Sequence, residues 1–142
     1  MTPTSSRTGK ASDGVTWLVD TSVAIAMRDA DPAHRPRMET LGGDVAISIV
    51  TRIELEGGVY RDPEKAAARR AKLDVFLSAL TVLPFDAASA DVYRDIVAAL
   101  GFSRRKILDR MIAAQALVHD ATLVTLNPAD FSDIPGLRLL AW

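Results

Sequence analysis

Short apolar runs of strand length alternate with longer stretches at helical spacing, and this alternation constrains the fold more than any other feature. Residues 15–19, 44–48 (around Val45-Ala46-Ile47), 81–85, 122–125 and 137–141 read as five strands, being short, apolar and bounded by polar residues. Between them, 21–28, 50–60, 87–100 and 107–119 carry helical periodicity, and Gly101 closes the third of these. Pro63 suits a helix N1 position, and Ala66, Arg69, Leu73, Phe76, Leu77 and Leu80 continue from it at helical spacing. Strands separated by helices indicate a parallel sheet covered on both faces, so the expected class is α/β with three layers. The link Asp120-Ala121 leaves no room for a second domain, and 142 residues are enough for one buried core. Residues 1–14 are polar and aperiodic and read as a disordered tail, which places the folded domain at 15–142.

Composition removes several kinds of chemistry. The chain has no cysteine, which excludes disulfides, thiolate metal sites and cysteine nucleophiles. A bound metal would therefore be held mainly by oxygen, which favours Mg²⁺, with Mn²⁺ as a substitute. No apolar run reaches the roughly 18–20 residues that span a bilayer, and nothing has the layout of a signal peptide; no membrane association and a cytoplasmic location are expected. The net charge of −1 argues against a general nucleic-acid coat, yet the positive charge is clustered. Arg61, Lys65, Arg69, Arg70 and Lys72 form one basic stretch, and Arg104, Arg105, Lys106 and Arg110 another. A charge run is ordinarily a solvated helix face, and these gain interest only beside an acidic site.

In parallel sheets, ligands bind beyond the carboxyl ends of the strands, where strand order reverses. Asp20 follows the first strand, Glu54 lies in the helix after the second, and Asn127 follows the fourth. Asp109 lies near the start of the helix leading into that fourth strand. Each has a plainer explanation. Asp20 could cap the helix at Thr21, and Thr51-Arg52-Ile53-Glu54 matches a capping box. Asn127-Pro128 could be an N-cap followed by proline, and Asp109 could offset a helix dipole. Together they outweigh those explanations, because carboxylates converging on one edge repel each other unless a cation intervenes. Thr21 and Ser22 carry hydroxyls placed for a ligand carboxylate or a phosphate; His34 and His119 receive no role.

Four local motifs occur in order. They are Leu18-Val19-Asp20-Thr21-Ser22, then Thr51 three residues before Glu54-Leu55 with Gly57 beyond. Asp109 followed by Ile112-Ala113-Ala114-Gln115-Ala116, and Thr125-Leu126-Asn127 running to Asp130-Phe131, complete the set. In these the chain resembles the PIN-domain ribonucleases, especially the VapC-like toxins of toxin–antitoxin pairs, from Trp17 to Trp142. The resemblance implies a sheet in the order 3-2-1-4-5 and metal-dependent endoribonuclease activity leaving a 5′-phosphate and a 3′-hydroxyl. It makes Asp20, Glu54 and Asp109 metal ligands. Asn127 falls where many relatives carry a fourth acid, which lowers the negative charge by one; Asp130 is expected to brace the Asp-Phe turn. It also implies a homodimer and a cognate antitoxin protein, with tRNA and rRNA as equally open substrates. Arg104 and Arg105, with the Lys65–Lys72 stretch, become expected RNA-backbone contacts.

Two other readings stand beside it. A phosphatase or receiver domain also places Asp at a strand end, but Asp20-Thr21-Ser22 lacks a second Asp, and no late strand-end Lys is evident. A binding module with little or no catalytic activity, acting in an antitoxin–DNA complex, gains some support from Asn127.

Overall fold

The computed structural model describes residues 15–142; the tail assigned to 1–14 lies outside them. Five strands, β1 (Trp17–Val19), β2 (Val45–Ser48), β3 (Thr81–Leu83), β4 (Thr122–Thr125) and β5 (Leu139–Ala141), form one sheet in the order β3-β2-β1-β4-β5. Every pairing is parallel, with Val19 opposite Ile47 on one side and Val124 on the other. The α-helices among the described residues are α1 (Thr21–Arg28), α2 (Arg35–Thr40), α3 (Ile49–Val59), α4 (Ala66–Ser78), α5 (Ala87–Leu100) and α6 (Ile107–Val118).

Strand alternation builds two cores. Val19, Ile47 and Val124 face one side and pack with Val23, Leu55, Val59 and Leu73 from α1, α3 and α4. Leu18, Ala46 and Leu123 face the other and pack with Ile96 of α5 and Ile112, Ala113 and Ala116 of α6. Both faces of the sheet are thus dry, which is why its strands read as unbroken apolar runs. Among the described residues no helix is long and apolar enough to cross a membrane.

The elements depart from the sequence pattern where backbone chemistry overrides it. β3 stops at Leu83, because Pro84 has no N–H to extend a ladder. β1 begins at Trp17 and β5 at Leu139, later than the apolar runs suggested. The helix Arg35–Thr40 was not foreseen: it has six residues, none buried, so no periodicity announces it. Pro63 does open a helical segment, but as the first residue of a 3-10 turn, Pro63–Lys65, running into α4.

Arg110 is also not the surface cation that its basic neighbourhood suggested. It is 4% exposed, and its guanidinium donates to the Gly101 carbonyl at 2.7 Å and lies 3.8 Å from Asp133. This contact holds the α5–α6 turn, where Gly101 ends α5 at φ +86°. A Cβ there would meet nothing within 4 Å, so Gly101→Ala costs backbone strain alone. A destabilisation of about 1–2 kcal/mol is expected, read as a lower urea midpoint at unchanged m-value.

Candidate metal centre

Asp20 stands at the carboxyl end of β1, at the switch point where the chain leaves for β2 on one side and β4 adjoins on the other. It is 5% exposed. Its Oδ1 accepts the Val23 N–H at 3.0 Å and the Ser22 hydroxyl at 2.6 Å, while Oδ2 accepts the Thr125 hydroxyl at 2.6 Å. The helix cap and the candidate ligand are therefore the same carboxylate. A carboxylate offers about four acceptor positions, so three bonds leave about one, on Oδ2. Thr125 is fully buried at the end of β4 and also accepts the Asn127 N–H at 2.9 Å. The Ser22 oxygen accepts the Leu126 N–H at 3.2 Å. These bonds lock the β1 and β4 ends together around Asp20.

The capping-box explanation of Glu54 does not hold. Ser48 is the N-cap of α3, accepting the Val50 N–H at 2.9 Å, and Thr51 lies buried inside the first turn. The Thr21 hydroxyl lies 3.0 Å from that of Thr51 and 2.7 Å from Glu54 Oε1. A hydroxyl has one hydrogen, so Thr51 donates to Thr21 and Thr21 to Glu54. Glu54 is exposed and tethered toward α1 by this relay. Thr21 and Ser22, expected near a carboxylate or a phosphate, both spend their hydrogen on a carboxylate.

Asp109 is half-buried in the first turn of α6. Its carboxyl is pushed up to about 6, first by burial, then by the charges of Asp130, Asp20 and Glu54; Lys106 pulls the other way. Four acids therefore share one electrostatic site, and one of them was assigned elsewhere. Asp130 is the last residue of the 3-10 turn Pro128–Asp130, and its charge acts on Asp109 more than that of any other acid. Buried Phe131 anchors that turn. Asn127 is exposed, and its side chain makes no cap bond despite preceding Pro128. The sequence signal for Asp130 was its place three residues beyond Asn127, one 3-10 turn further on. Among the described residues no three acids or histidines are drawn closely enough together to enclose an ion. The donor set itself suits a hard divalent cation: oxygen only, several acids, and one carboxyl whose charge is disfavoured until a cation arrives.

Cations flank the acids on both sides. Arg104 and Arg105 are exposed on a 3-10 turn leading into α6. On the opposite face of the sheet, a cleft of about 550 Å³ between α1, α3 and α4 starts at Thr21 and Glu54. Arg70, by contrast, is engaged with Glu56 and Asp74 and ties α3 to α4.

Fold and site together define a small α/β domain with an acidic, oxygen-only centre at the switch point of a parallel sheet. The chain belongs to the PIN domain family, whose model matches residues 17–137. It is 30% identical over 133 residues to Ribonuclease VapC2 of Rickettsia felis, with 89% of this chain and 97% of that protein covered. It is 33% identical over 131 residues to the tRNA(fMet)-specific endonuclease VapC of Shigella flexneri, with 89% and 97% covered. Among solved structures it resembles VapBC2 from Rickettsia felis bound to a DNA fragment from their promoter. The TM-score is 0.79 at 28% identity, covering 90% of this chain and 99% of that one.

Proposed function

We propose that this chain is a Mg²⁺-dependent endoribonuclease and the toxin of a toxin–antitoxin pair. The observation that carries this reading is Asp109, half-buried, its carboxyl pushed up to about 6 by that burial and then by the charges of Asp130, Asp20 and Glu54. Asp20, Glu54 and Asp109 would hold the ion, with Asp130 rather than Asn127 as the fourth acid. When bound, Mg²⁺ supplies charge to stabilise the phosphodiester transition state and acidifies the attacking water.

The chain's own residues do the positioning. Thr125 and Ser22 hold the Asp20 carboxylate in one orientation with an acceptor position free on Oδ2. The Thr51–Thr21–Glu54 relay steers an exposed and otherwise mobile-length side chain toward α1. Arg104 and Arg105 offer exposed charge for the RNA backbone beside Asp109. Relatives at 30% and 33% identity that are named ribonuclease and endonuclease support the reaction class. The VapBC2 complex supports a protein partner. A homodimer completes the reading and rests on the family alone.

The test is cleavage of total tRNA and of rRNA by the purified protein in Mg²⁺, in Mn²⁺ and in EDTA. Cleavage with either metal, none in EDTA, and 5′-phosphate ends on the products are expected. No cleavage of any RNA with metal would leave a binding module in its place.

A further inference from the structure

The cleft beside the acids is built for a polyanion, and we infer that it binds the phosphate backbone of the RNA strand on one side of the scissile bond. This inference rests on the nuclease reading and adds to it where the strand lies.

Five cations line the cleft, Arg28, Arg61, Lys65, Arg69 and Lys72, against two carboxylates, Asp29 and Glu54. The whole chain carries a net charge of −1, so this concentration of positive charge is local. Asp29 is already neutralised, 3.0 Å from Arg28 and 3.8 Å from Lys72, and these cations hold its carboxyl below the usual range. Glu54 belongs to the acidic centre itself. Arg69 is braced on the Gly58 carbonyl at 3.2 Å, which fixes it on the wall. Arg61 and Lys65 are exposed, and among the described residues no salt bridge holds either. Two free cations at the rim and braced ones behind them suit a chain of phosphates.

The floor is apolar, from Ile25, Leu55 and Val59, and Ile25 is 40% exposed. A volume of about 550 Å³ has room for a ribose or base over that floor. Thr21 and Glu54 lie at one end, so a strand held here passes directly onto the carboxylates. The Arg104–Lys106 turn leads into α6 on the other face of the sheet. The two basic regions therefore flank the acids, with the cleft on one side of the cut and Arg104 and Arg105 on the other. The acids themselves repel phosphates, and flanking cations are what make a polyanion's approach favourable.

The experiment compares the wild-type protein with Arg61→Glu/Lys65→Glu and with a control of equal charge change, Arg37→Glu/Arg94→Glu, on α2 and α5. Binding of a fluorescein-labelled single-stranded RNA is followed by anisotropy in EDTA across a salt series. Cleavage of the same RNA is followed in Mg²⁺, and thermal unfolding verifies each fold. The cleft variant is expected to bind at least about tenfold more weakly, with a salt slope shallower by about 1.4, since each lost phosphate contact removes about 0.7. Its KM should rise by a similar factor with kcat little changed, while the control stays near wild type. Equal losses in cleft variant and control, or a cleft variant that binds and cleaves like wild type, would overturn the inference and leave the nuclease reading standing; the second result is also the one expected if a protein segment fills the cleft. A wild-type protein that neither binds RNA nor cleaves it would remove the nuclease reading, and this inference with it.

Discussion

Asp20→Asn is expected to lower Mg²⁺-dependent RNA cleavage by about 10²–10³-fold, the scale on which losing one preorganised electrostatic group slows an active site. The amide keeps the carbonyl oxygen that accepts the Val23 N–H and the Ser22 hydroxyl, so the cap of α1 survives. Thr125 now meets an NH₂ group where Oδ2 was. Its oxygen has two lone pairs and can accept from that group while still accepting the Asn127 N–H. The fold should therefore hold, and the loss should lie in metal affinity and rate. Asp20→Ala is a poorer probe. Losing the cap costs about 1 kcal/mol, and hydroxyls left unpaired in a buried site cost about 1–3 kcal/mol more. Single-turnover cleavage measured beside thermal unfolding separates the two effects. A near-wild-type rate for Asp20→Asn would show that Asp20 is only a cap.

The second large effect concerns pH. Burial and the neighbouring acids raise the Asp109 carboxyl to about 6 in the folded protein, against 3.8 for an ordinary aspartate. The folded state then binds this proton more tightly than the unfolded chain. At this position stability is gained as pH falls through 6 toward 4 and is lost as pH rises through the same window. Metal-free Asp109→Asn should therefore melt higher than wild type at pH 7.5, with the gap narrowing as pH falls through 6 and closing by about pH 4. Asp109 is only half-buried, so solvent screening holds the gap to a few degrees. Mg²⁺ should raise the wild-type melting temperature at pH 7.5 and do little for the variant, which loses cleavage altogether. At sub-saturating Mg²⁺ the wild-type cleavage rate should fall as pH drops through 6, because the proton competes with the ion for the Asp109 carboxyl. A melting gap of the same size at pH 4 and 7.5 would mean that the fold does not raise the Asp109 carboxyl.

The candidate site was legible in the sequence to different depths. Asp20 was readable because a strand-end aspartate before a helix is a local pattern, although the same pattern describes a cap; the structure shows that it caps α1 and that its charge acts on Asp109. Glu54 was readable as an acid after the second strand. Its local context was misleading, however, because Thr51-x-x-Glu54 imitates a capping box, whereas the cap is Ser48. Arg110 was counted with its basic neighbours, and only packing shows it buried against Gly101 and Asp133. Asp130 was assigned to bracing its turn because position in sequence does not say where a turn points its carboxylate.

By itself, the sequence determined the α/β class, the parallel sheet and the order of elements along the chain, apart from the short helix Arg35–Thr40. Apolar runs without alternation, helical periodicity and the stop at Gly101 are local consequences of backbone geometry and burial. The resemblance in four motifs supplied the strand order 3-2-1-4-5, which the structure bears out. Tertiary structure alone brought Asp130 into the acidic centre and gave Thr21, Thr51 and Thr125 their roles as supports of Asp20 and Glu54. It also turned a basic stretch after Tyr60 into one wall of a cleft that ends at Glu54. The physical reason is range. Propensity and periodicity act over a few residues, whereas Thr125 holds Asp20 across 105 positions of chain and Asp130 acts on Asp109 through space.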